Sequence, residues 1–333
     1  MFEKFFTLFR RKPKRERTKR PLRQAQPLKL GLALSSGGAR GLAHVGVLQV
    51  LEENGIEVHA IAGSSMGSYV GSLWAAGFSG KDLVELSEEM HDKRQLWKLA
   101  DPILPPMKGL FYGLKAKAHL MRSIGDLHFE DLERQLLVIA VDIDTKERLI
   151  LCKGSIADAV HASCAMPGII APVMVNGHRC VDGGVIDPVP VGALRRFSDV
   201  DRVIAVSVIP TFDEIYSQQC DACSDTPISL WQRMLEGVNR QVNVMAPGNV
   251  IDTFRKSISA AQIRLAHDAV QHADLCLRPE HFSAKWNDYA NFERFINAGR
   301  KAAEDKLDII RALLDPNQAH DPKKNHMVGD RLA

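Results

Sequence analysis

A serine stands in the middle of the sequence Gly63-Ser-Ser65-Met-Gly67, between a short apolar segment and a helical pattern. The segment before it, 58–62, predicts a strand, and the apolar residues at helical spacing after it predict a helix. Gly-x-Ser-x-Gly at such a junction is the pattern of a nucleophile elbow, in which the glycines Gly63 and Gly67 permit a tight turn. Ser65 is therefore the candidate nucleophile. Small residues are also ordinary in turns, so this stretch alone supports both interpretations equally.

A glycine-rich turn, Ser35–Gly41, follows an apolar segment, Leu28–Leu34, that predicts a buried strand. A turn of this kind in front of a helix presents backbone N–H groups to an anion. The turn lacks the complete Gly-x-Gly-x-x-Gly of a dinucleotide site and the Gly-Lys-Ser/Thr of a phosphate-binding loop. An oxyanion hole needs only exposed N–H donors, and neighbouring parallel strands carry their C-terminal turns side by side. That interpretation brings this turn and Ser65 together at one sheet edge.

Four other side chains are candidates for acid or base chemistry. His44 lies one turn into the helix after the glycine-rich turn, and histidine is the usual base for a nucleophilic serine. A buried histidine that is hydrogen-bonded for structure is nevertheless the favoured interpretation. Asp142 and Asp144 stand together beside a turn, where carboxylates are usually solvated. Asp182 ends a short strand before two glycines, which allow close approach of a backbone or substrate, although Asp182-Gly-Gly184 alone favours a hairpin turn.

Four motifs in this order resemble those of the patatin-like phospholipase family, particularly its bacterial members related to neuropathy-target-esterase domains. The resemblance extends over about residues 28–210. The matching residues are Ser36-Gly-Gly-Ala-Arg-Gly41 with Leu42-Ala-His44-x-Gly46-Val-Leu48, Gly63-x-Ser65-x-Gly67, Ala162-Ser163-x-x-x-Pro167-Gly168, and Asp182-Gly-Gly184 with Pro188-x-Pro190. The chain departs from the family at three positions: Ser36 stands where glycine is usual, His161 where arginine is frequent, and Asp187 where asparagine is usual.

The resemblance implies an α/β fold, a three-layer α/β/α sandwich with a mostly parallel central sheet. It also implies a serine–aspartate dyad without a histidine base, in which Ser65 is the nucleophile and Asp182 the base. It assigns the oxyanion-hole turn to Gly37, Gly38, Ala39 and Arg40. The expected activity is cleavage of carboxylic esters of phospholipids or lysophospholipids through an acyl-serine intermediate, without metal or cofactor. A soluble carboxylesterase or thioesterase of the same fold, and a non-catalytic regulatory protein, are the alternatives.

Basic residues are concentrated in the first 24 positions, which contain ten Lys/Arg and two Glu in a chain of net charge +3. One helical face of this segment carries four phenylalanines: Phe2, Phe5, Phe6 and Phe9. An apolar face combined with a basic block favours contact with an anionic membrane surface. The alternative is a basic tail that touches nucleic acid without sequence preference; a specific nucleic-acid partner is not expected.

The 333-residue chain is long enough for one large α/β domain or two smaller ones. We expect a basic amphipathic tail at 1–27, a patatin-like hydrolase domain at 28–314 and a disordered tail at 315–333. Polar residues predict a loop over 211–226, and apolar spacing predicts one long helix over 289–314. Six cysteines without a secretory signal are typical of a reducing compartment, and no apolar run reaches about 18 residues. We therefore expect a cytoplasmic protein, peripheral on the inner face of the membrane, whose oligomeric state the sequence leaves open.

Overall fold

The computed structural model describes residues 28–89, 99–105, 107–221, 248–280 and 287–316. Its strands are β1 (Leu30–Leu34), β2 (Ala60–Ser64), β3 (Gln135–Asp142), β4 (Arg148–Leu151), β5 (Val173–Val175), β6 (His178–Asp182), β7 (Arg202–Val206) and β8 (Leu275–Leu277). Its α-helices are α1 (Ala43–Glu53), α2 (Met66–Ala75), α3 (Gly80–Glu89), α4 (Leu114–Ile124), α5 (Ile156–Ser163), α6 (Val191–Phe197), α7 (Phe212–Asp221), α8 (Val250–Val270), α9 (Phe292–Glu304) and α10 (Leu307–Leu313). Short 3-10 turns occupy Gly38–Leu42, Phe129–Asp131, Gly183–Val185 and Tyr289–Asn291.

These strands form one mixed sheet in the order β5-β6-β3-β2-β1-β7-β8, and β4 pairs with β3 off this path. The central strands β3, β2, β1, β7 and β8 are parallel to one another. The pairs of β3 with β4, β3 with β6 and β5 with β6 are antiparallel. The prediction of a mostly parallel central sheet is therefore confirmed, with an antiparallel extension at one side.

Side chains of the central strands alternate between two apolar cores, one on each face of the sheet. In β1, Leu32 and Leu34 belong to one core and Ala33 to the other, and in β3 Val138 and Ile139 divide in the same way. Helices α1, α2, α5 and α9 complete the first core, whereas α6 and α8 complete the second. Because successive side chains of a strand point to opposite faces, this division confirms the predicted helix–sheet–helix layers.

Two local predictions are wrong. Residues 211–226 were expected to form a loop, but α7 begins there with a capping box, in which the Thr211 N–H donates to Glu214 Oε2 at 2.8 Å and the Glu214 N–H to Thr211 Oγ1 at 3.2 Å. Thr-x-x-Glu is a helix-start pattern, which the polar composition of the segment obscured. The single helix expected over 289–314 is instead a 3-10 turn followed by α9 and α10, which separate at Asp305 and Lys306.

Parts of the predicted organisation lie outside the described residues. These are the basic tail at 1–27, all of the C-terminal tail beyond Pro316, and a helix predicted from the spacing of Trp231, Leu235, Val238 and Val242. Within the described ranges, no helix combines the length and the apolar character that crossing a membrane requires.

Candidate active site

Ser65 lies in the sharp turn between β2 and α2 with φ 53° and ψ −121°, a backbone conformation that non-glycine residues rarely adopt. The two glycines that flank the turn, Gly63 and Gly67, leave no space for a larger side chain. A Cβ atom at Gly63 would lie 2.5 Å from the Gly67 carbonyl oxygen, and one at Gly67 would lie 2.3 Å from the Leu34 carbonyl oxygen. Both obstacles are backbone atoms that cannot move aside. The geometry is that of a strained elbow, not of an ordinary turn.

The register of β3 brings Asp182 to this elbow. Ser64, at the end of β2, pairs with Ile139, and Asp182, at the end of β6, pairs with the next residue, Ala140. Strand β4 pairs with one edge of β3 at these positions. Strands β2 and β6 must therefore both pair with the opposite edge of β3, one after the other. The two strands run towards each other along one side of β3, and their last residues meet. Ser65 and Asp182, 117 positions apart in the sequence, therefore become neighbours.

The carboxylate of Asp182 is held and desolvated at this meeting point. It accepts a hydrogen bond from the Gly184 N–H, at 2.7 Å, and interacts electrostatically with the nearby Ser65 hydroxyl group. Only 3% of the residue is exposed. Burial raises the pKa of Asp182 to about 6, against the lowering effect of the Ser65 hydroxyl group and of the hydrogen bond from Gly184. At neutral pH the group is ionised, but it is a stronger base than an exposed carboxylate.

A segment that the sequence interpretation left without a role contacts both residues. The Ser65 N–H donates to Ser163 Oγ at 2.9 Å, and the Asp182 N–H donates to the Ala165 carbonyl oxygen at 2.9 Å. Between them, Cys164 interacts with the Ser65 hydroxyl group, and burial raises the pKa of its thiol to about 12. Ser163 belongs to the Ala162–Gly168 motif, so the sequence marked the segment by resemblance but gave no physical signal of these contacts.

The glycine-rich turn lies beside Ser65, as the parallel pairing of β1 with β2 predicts. Gly37, Gly38 and Arg40 lie on the wall of the cavity that contains Ser65 and Asp182. Ala39 is fully buried in the first core. Burial, together with the nearby charge of Arg255, lowers the pKa of Arg40 to about 10. Arg40 remains a cation at neutral pH, at the rim of the turn.

Helix α8 forms the opposite wall of this cavity. It contributes Arg255, Ile258, Ser259 and Gln262, and Gln262 Nε2 donates to the Gly184 carbonyl oxygen at 3.0 Å. The remaining space is bordered by apolar side chains, which are Met166, Pro167, Val185 and Ile209. The cavity thus combines a polar floor with a largely apolar surround, an arrangement suited to an ester joined to a hydrocarbon chain.

The other candidate groups lie outside this arrangement. His44 is fully buried, and its Nε2 lies 2.9 Å from the Ser35 carbonyl oxygen, as the structural interpretation predicts. Asp142 accepts from His178 Nδ1 at 2.8 Å, and Asp144 is paired with Arg179. In the part of the chain that the structure describes, no group of three or more His, Cys, Asp or Glu side chains is arranged to hold a metal ion.

Comparisons with known proteins agree with the motifs. Residues 32–195 match the model of a family described as patatin-like phospholipase. An uncharacterised NTE family protein of Mycobacterium tuberculosis is 36% identical over 185 residues, which are 54% of this chain and 49% of that protein. Lysophospholipase NTE1 of Pyricularia oryzae is 26% identical over 292 residues, which are 85% of this chain and 18% of that protein.

Among solved structures, VipD from Legionella pneumophila matches with a TM-score of 0.45 at 16% identity, over 85% of this chain and 67% of that one. This chain spans about half the length of the M. tuberculosis relative and a smaller share of NTE1. The match of the family model confirms the resemblance for residues 32–195.

Proposed function

We propose that this chain, whose residues 32–195 match the patatin-like phospholipase family, is a serine acyl hydrolase that cleaves carboxylic ester bonds of phospholipids or lysophospholipids. One observation carries the proposal: the hydroxyl group of Ser65, held in a strained elbow, lies beside the buried carboxylate of Asp182 and interacts with it. A nucleophile and a base in direct contact are the minimum needed for acyl transfer. The apolar surround of the cavity supports a substrate with an acyl chain.

In the first step, Ser65 Oγ attacks the ester carbonyl carbon while its proton passes to Asp182. A carboxylate with a pKa of about 6 accepts this proton more readily than an exposed one. The protonated Asp182 then gives the proton to the leaving alcohol as the carbon–oxygen bond breaks, which leaves an acyl-Ser65 ester. In the second step, a water molecule gives a proton to Asp182 and attacks the acyl carbon, so that the fatty acid is released and Ser65 recovers its proton.

The negative charge on the carbonyl oxygen needs hydrogen-bond donors during both steps. The N–H of Ser65 itself already donates to Ser163, so it is not a free donor. The glycine-rich turn, with Gly37, Gly38, Ala39 and Arg40 as its proposed oxyanion-hole residues, adjoins Ser65 on the cavity wall. Loss of one such donor typically costs about 3–4 kcal/mol of transition-state stabilisation.

The lipid nature of the substrate is supported by the relative named lysophospholipase NTE1, whose similarity extends over most of this chain. Peripheral contact with a membrane is supported by the ten basic residues and four phenylalanines of residues 1–24. We expect deletion of residues 1–24 to lower hydrolysis of anionic vesicles while hydrolysis of a short soluble ester is unchanged. Equal loss on both substrates would contradict membrane contact by this segment.

The decisive experiment compares fatty-acid release from phospholipid and lysophospholipid vesicles by the wild type, Ser65→Ala and Asp182→Asn. Matched controls are Ser72→Ala and Asp142→Asn, which alter a buried serine and a buried carboxylate outside the cavity. Release that is lost in both site variants and retained in both controls supports the proposal. A soluble ester hydrolysed in preference to lipid indicates an esterase or thioesterase instead. Absence of both turnover and labelling by a fluorophosphonate contradicts the proposal and favours a regulatory protein.

A further inference from the structure

We propose that Ser163 is a positioning residue that holds the nucleophile elbow in its strained conformation. The proposal rests on the proposed function, in which Ser65 is the nucleophile. It gives a physical role to the Ala162–Gly168 motif, which the dyad and the oxyanion hole leave unexplained. Ser163 itself does not contact the reacting atoms in this proposal; it acts through the backbone of Ser65.

The contact is a hydrogen bond between two buried groups. The Ser65 N–H donates to Ser163 Oγ at 2.9 Å, and Ser163 is fully buried. A buried N–H without an acceptor is strongly disfavoured, so the Ser163 hydroxyl oxygen favours the one orientation of the Ser65 peptide that reaches it. That orientation belongs to the backbone conformation of φ 53° and ψ −121°. A distant residue therefore stabilises a conformation that Ser65 would otherwise rarely adopt.

The two ends of Ser65 are held in different ways. Its carbonyl oxygen accepts from the N–H groups of Ser68 and Tyr69 and from the Ser68 hydroxyl group, at 2.9, 3.1 and 2.6 Å. These three contacts come from the first turn of α2 and substitute for one another. The N–H is held from outside the elbow, by a residue 98 positions further along the chain. Removal of Ser163 should therefore affect the elbow more than removal of any one of these carbonyl contacts.

The same segment also fixes the base. Asp182 donates its N–H to the carbonyl oxygen of Ala165, two residues after Ser163. Cys164, between them, interacts with the hydroxyl group of Ser65. Three consecutive residues thus contact the backbone of the nucleophile, the side chain of the nucleophile and the backbone of the base. A shift of Ser163 would be transmitted to both members of the dyad, so its effect belongs to the chemical step and not to substrate binding.

The test is the second-order rate constant with which a fluorophosphonate labels Ser65, together with kcat and KM for a short soluble ester. We expect Ser163→Ala to lower the labelling rate and kcat about 10- to 100-fold, the range that follows from an unsatisfied buried N–H, with KM unchanged. Ser163→Cys, which keeps the shape of the side chain with a slightly larger and weaker acceptor atom, should lie between Ser163→Ala and the wild type. The matched control is Ser72→Ala, because Ser72, in α2, is likewise fully buried, but its hydroxyl group donates to the Tyr69 carbonyl oxygen of its own helix, at 2.8 Å. It should stay within about twofold of the wild type.

Equal labelling rates for the wild type, Ser163→Ala and Ser163→Cys would overturn the proposal, as would a rise in KM with kcat unchanged. If Ser163→Ala does not fold, the rate of Ser163→Cys relative to Ser72→Ala decides. Amide hydrogen exchange at Ser65 provides a reading that does not depend on catalysis, and exchange should be faster in the Ser163 variants. A wild type that resists labelling would contradict the proposed function, whereas unchanged amide exchange in these variants would contradict the role of Ser163.

Discussion

The two sides of the cavity are built in different ways. The floor, formed by Ser65 and Asp182 at the strand ends, is buried, and the backbone N–H of each residue donates to an acceptor in the segment 163–165. The wall, formed by α8, is half-buried along its cavity-facing side, and its N-terminal turns carry the exposed residues Val250 (85%) and Phe254 (48%). A hydrogen bond from Gln262 to Gly184 joins the wall to the floor. This difference predicts that substitutions in the floor change the chemistry and the stability, whereas those in the wall change how well the substrate fits.

The largest effect is expected at Gly67, where the floor has no space. A methyl group there would lie 2.3 Å from the Leu34 carbonyl oxygen, so Gly67→Ala must displace either β1 or the elbow. We expect it to abolish labelling of Ser65 and to lower the free energy of unfolding by roughly 3 kcal/mol or more, measured by urea denaturation. Gly71→Ala is the control on the same helix, because its nearest neighbours are side-chain methyl groups at 3.1 and 3.3 Å. Equal effects of the two substitutions would contradict the steric explanation.

The pH dependence of the reaction should report the buried base. Asp182 must be ionised to accept the proton of Ser65, and its pKa is raised by burial to about 6. Labelling of Ser65 and kcat/KM should therefore be constant above about pH 7 and fall tenfold per pH unit below about pH 6. The profile should be measured with a substrate that does not ionise in this range. A midpoint near pH 4, typical of an exposed carboxylate, would show that the floor is open to water.

Removing the charge of Asp182 should stabilise the fold while it abolishes activity. The folded state binds this proton more strongly than the unfolded chain does, so ionisation lowers the free energy of unfolding as the pH rises from about 4 to about 6. Above that window Asp182→Asn should be more stable than the wild type by on the order of 2 kcal/mol, and at pH 4 the two should be similar. Urea denaturation at both pH values measures the difference.

Asp142→Asn is the control of opposite sign for this experiment. Asp142 is a buried carboxylate, but its hydrogen bond from His178 lowers its pKa, so its ionised form stabilises the folded state. Its replacement should therefore lower stability at neutral pH, and the loss should diminish as the pH falls. A loss of stability in Asp182→Asn at neutral pH would mean that the hydrogen bonds of this carboxylate outweigh its desolvation.

The sequence predicts the local parts of the site but not the contacts between distant parts of the chain. The elbow and the glycine-rich turn are local strand–turn–helix patterns, and both lie where they were expected. The approach of Asp182 to Ser65 was implied by resemblance alone, because it depends on the pairing of Ser64 with Ile139 and of Asp182 with Ala140. No local pattern encodes that register, and Asp-Gly-Gly by itself favours a hairpin turn.

The contacts of α8 were unpredictable for a related reason. Apolar residues recur at helical spacing along it in the sequence, but an amphipathic pattern specifies only that one face is buried, not which neighbour covers it. The contact of Ser163 with the elbow could not be predicted from its position, because a serine at the end of a helix has many ordinary hydrogen-bonding roles. The start of α7 differs from these cases, because its capping box, Thr211 with Glu214, is a local pattern that the sequence itself contains.

The smallest effect is expected in the wall, at Ile258, which faces the cavity from α8 and is partly exposed. Ile258→Ala removes apolar contact with a long acyl chain, and since the side chain is not fully desolvated the loss should be about 1 kcal/mol, or roughly fivefold in kcat/KM. Hydrolysis of an acetyl ester should be unchanged, because so short a chain does not reach the wall. Leu265→Ala, on the same helix and 37% exposed but not bordering the cavity, is the control. An equal loss on acetyl and long-chain esters would mean that α8 acts on the dyad itself, and the distinction between a chemical floor and a fitting wall would then fail.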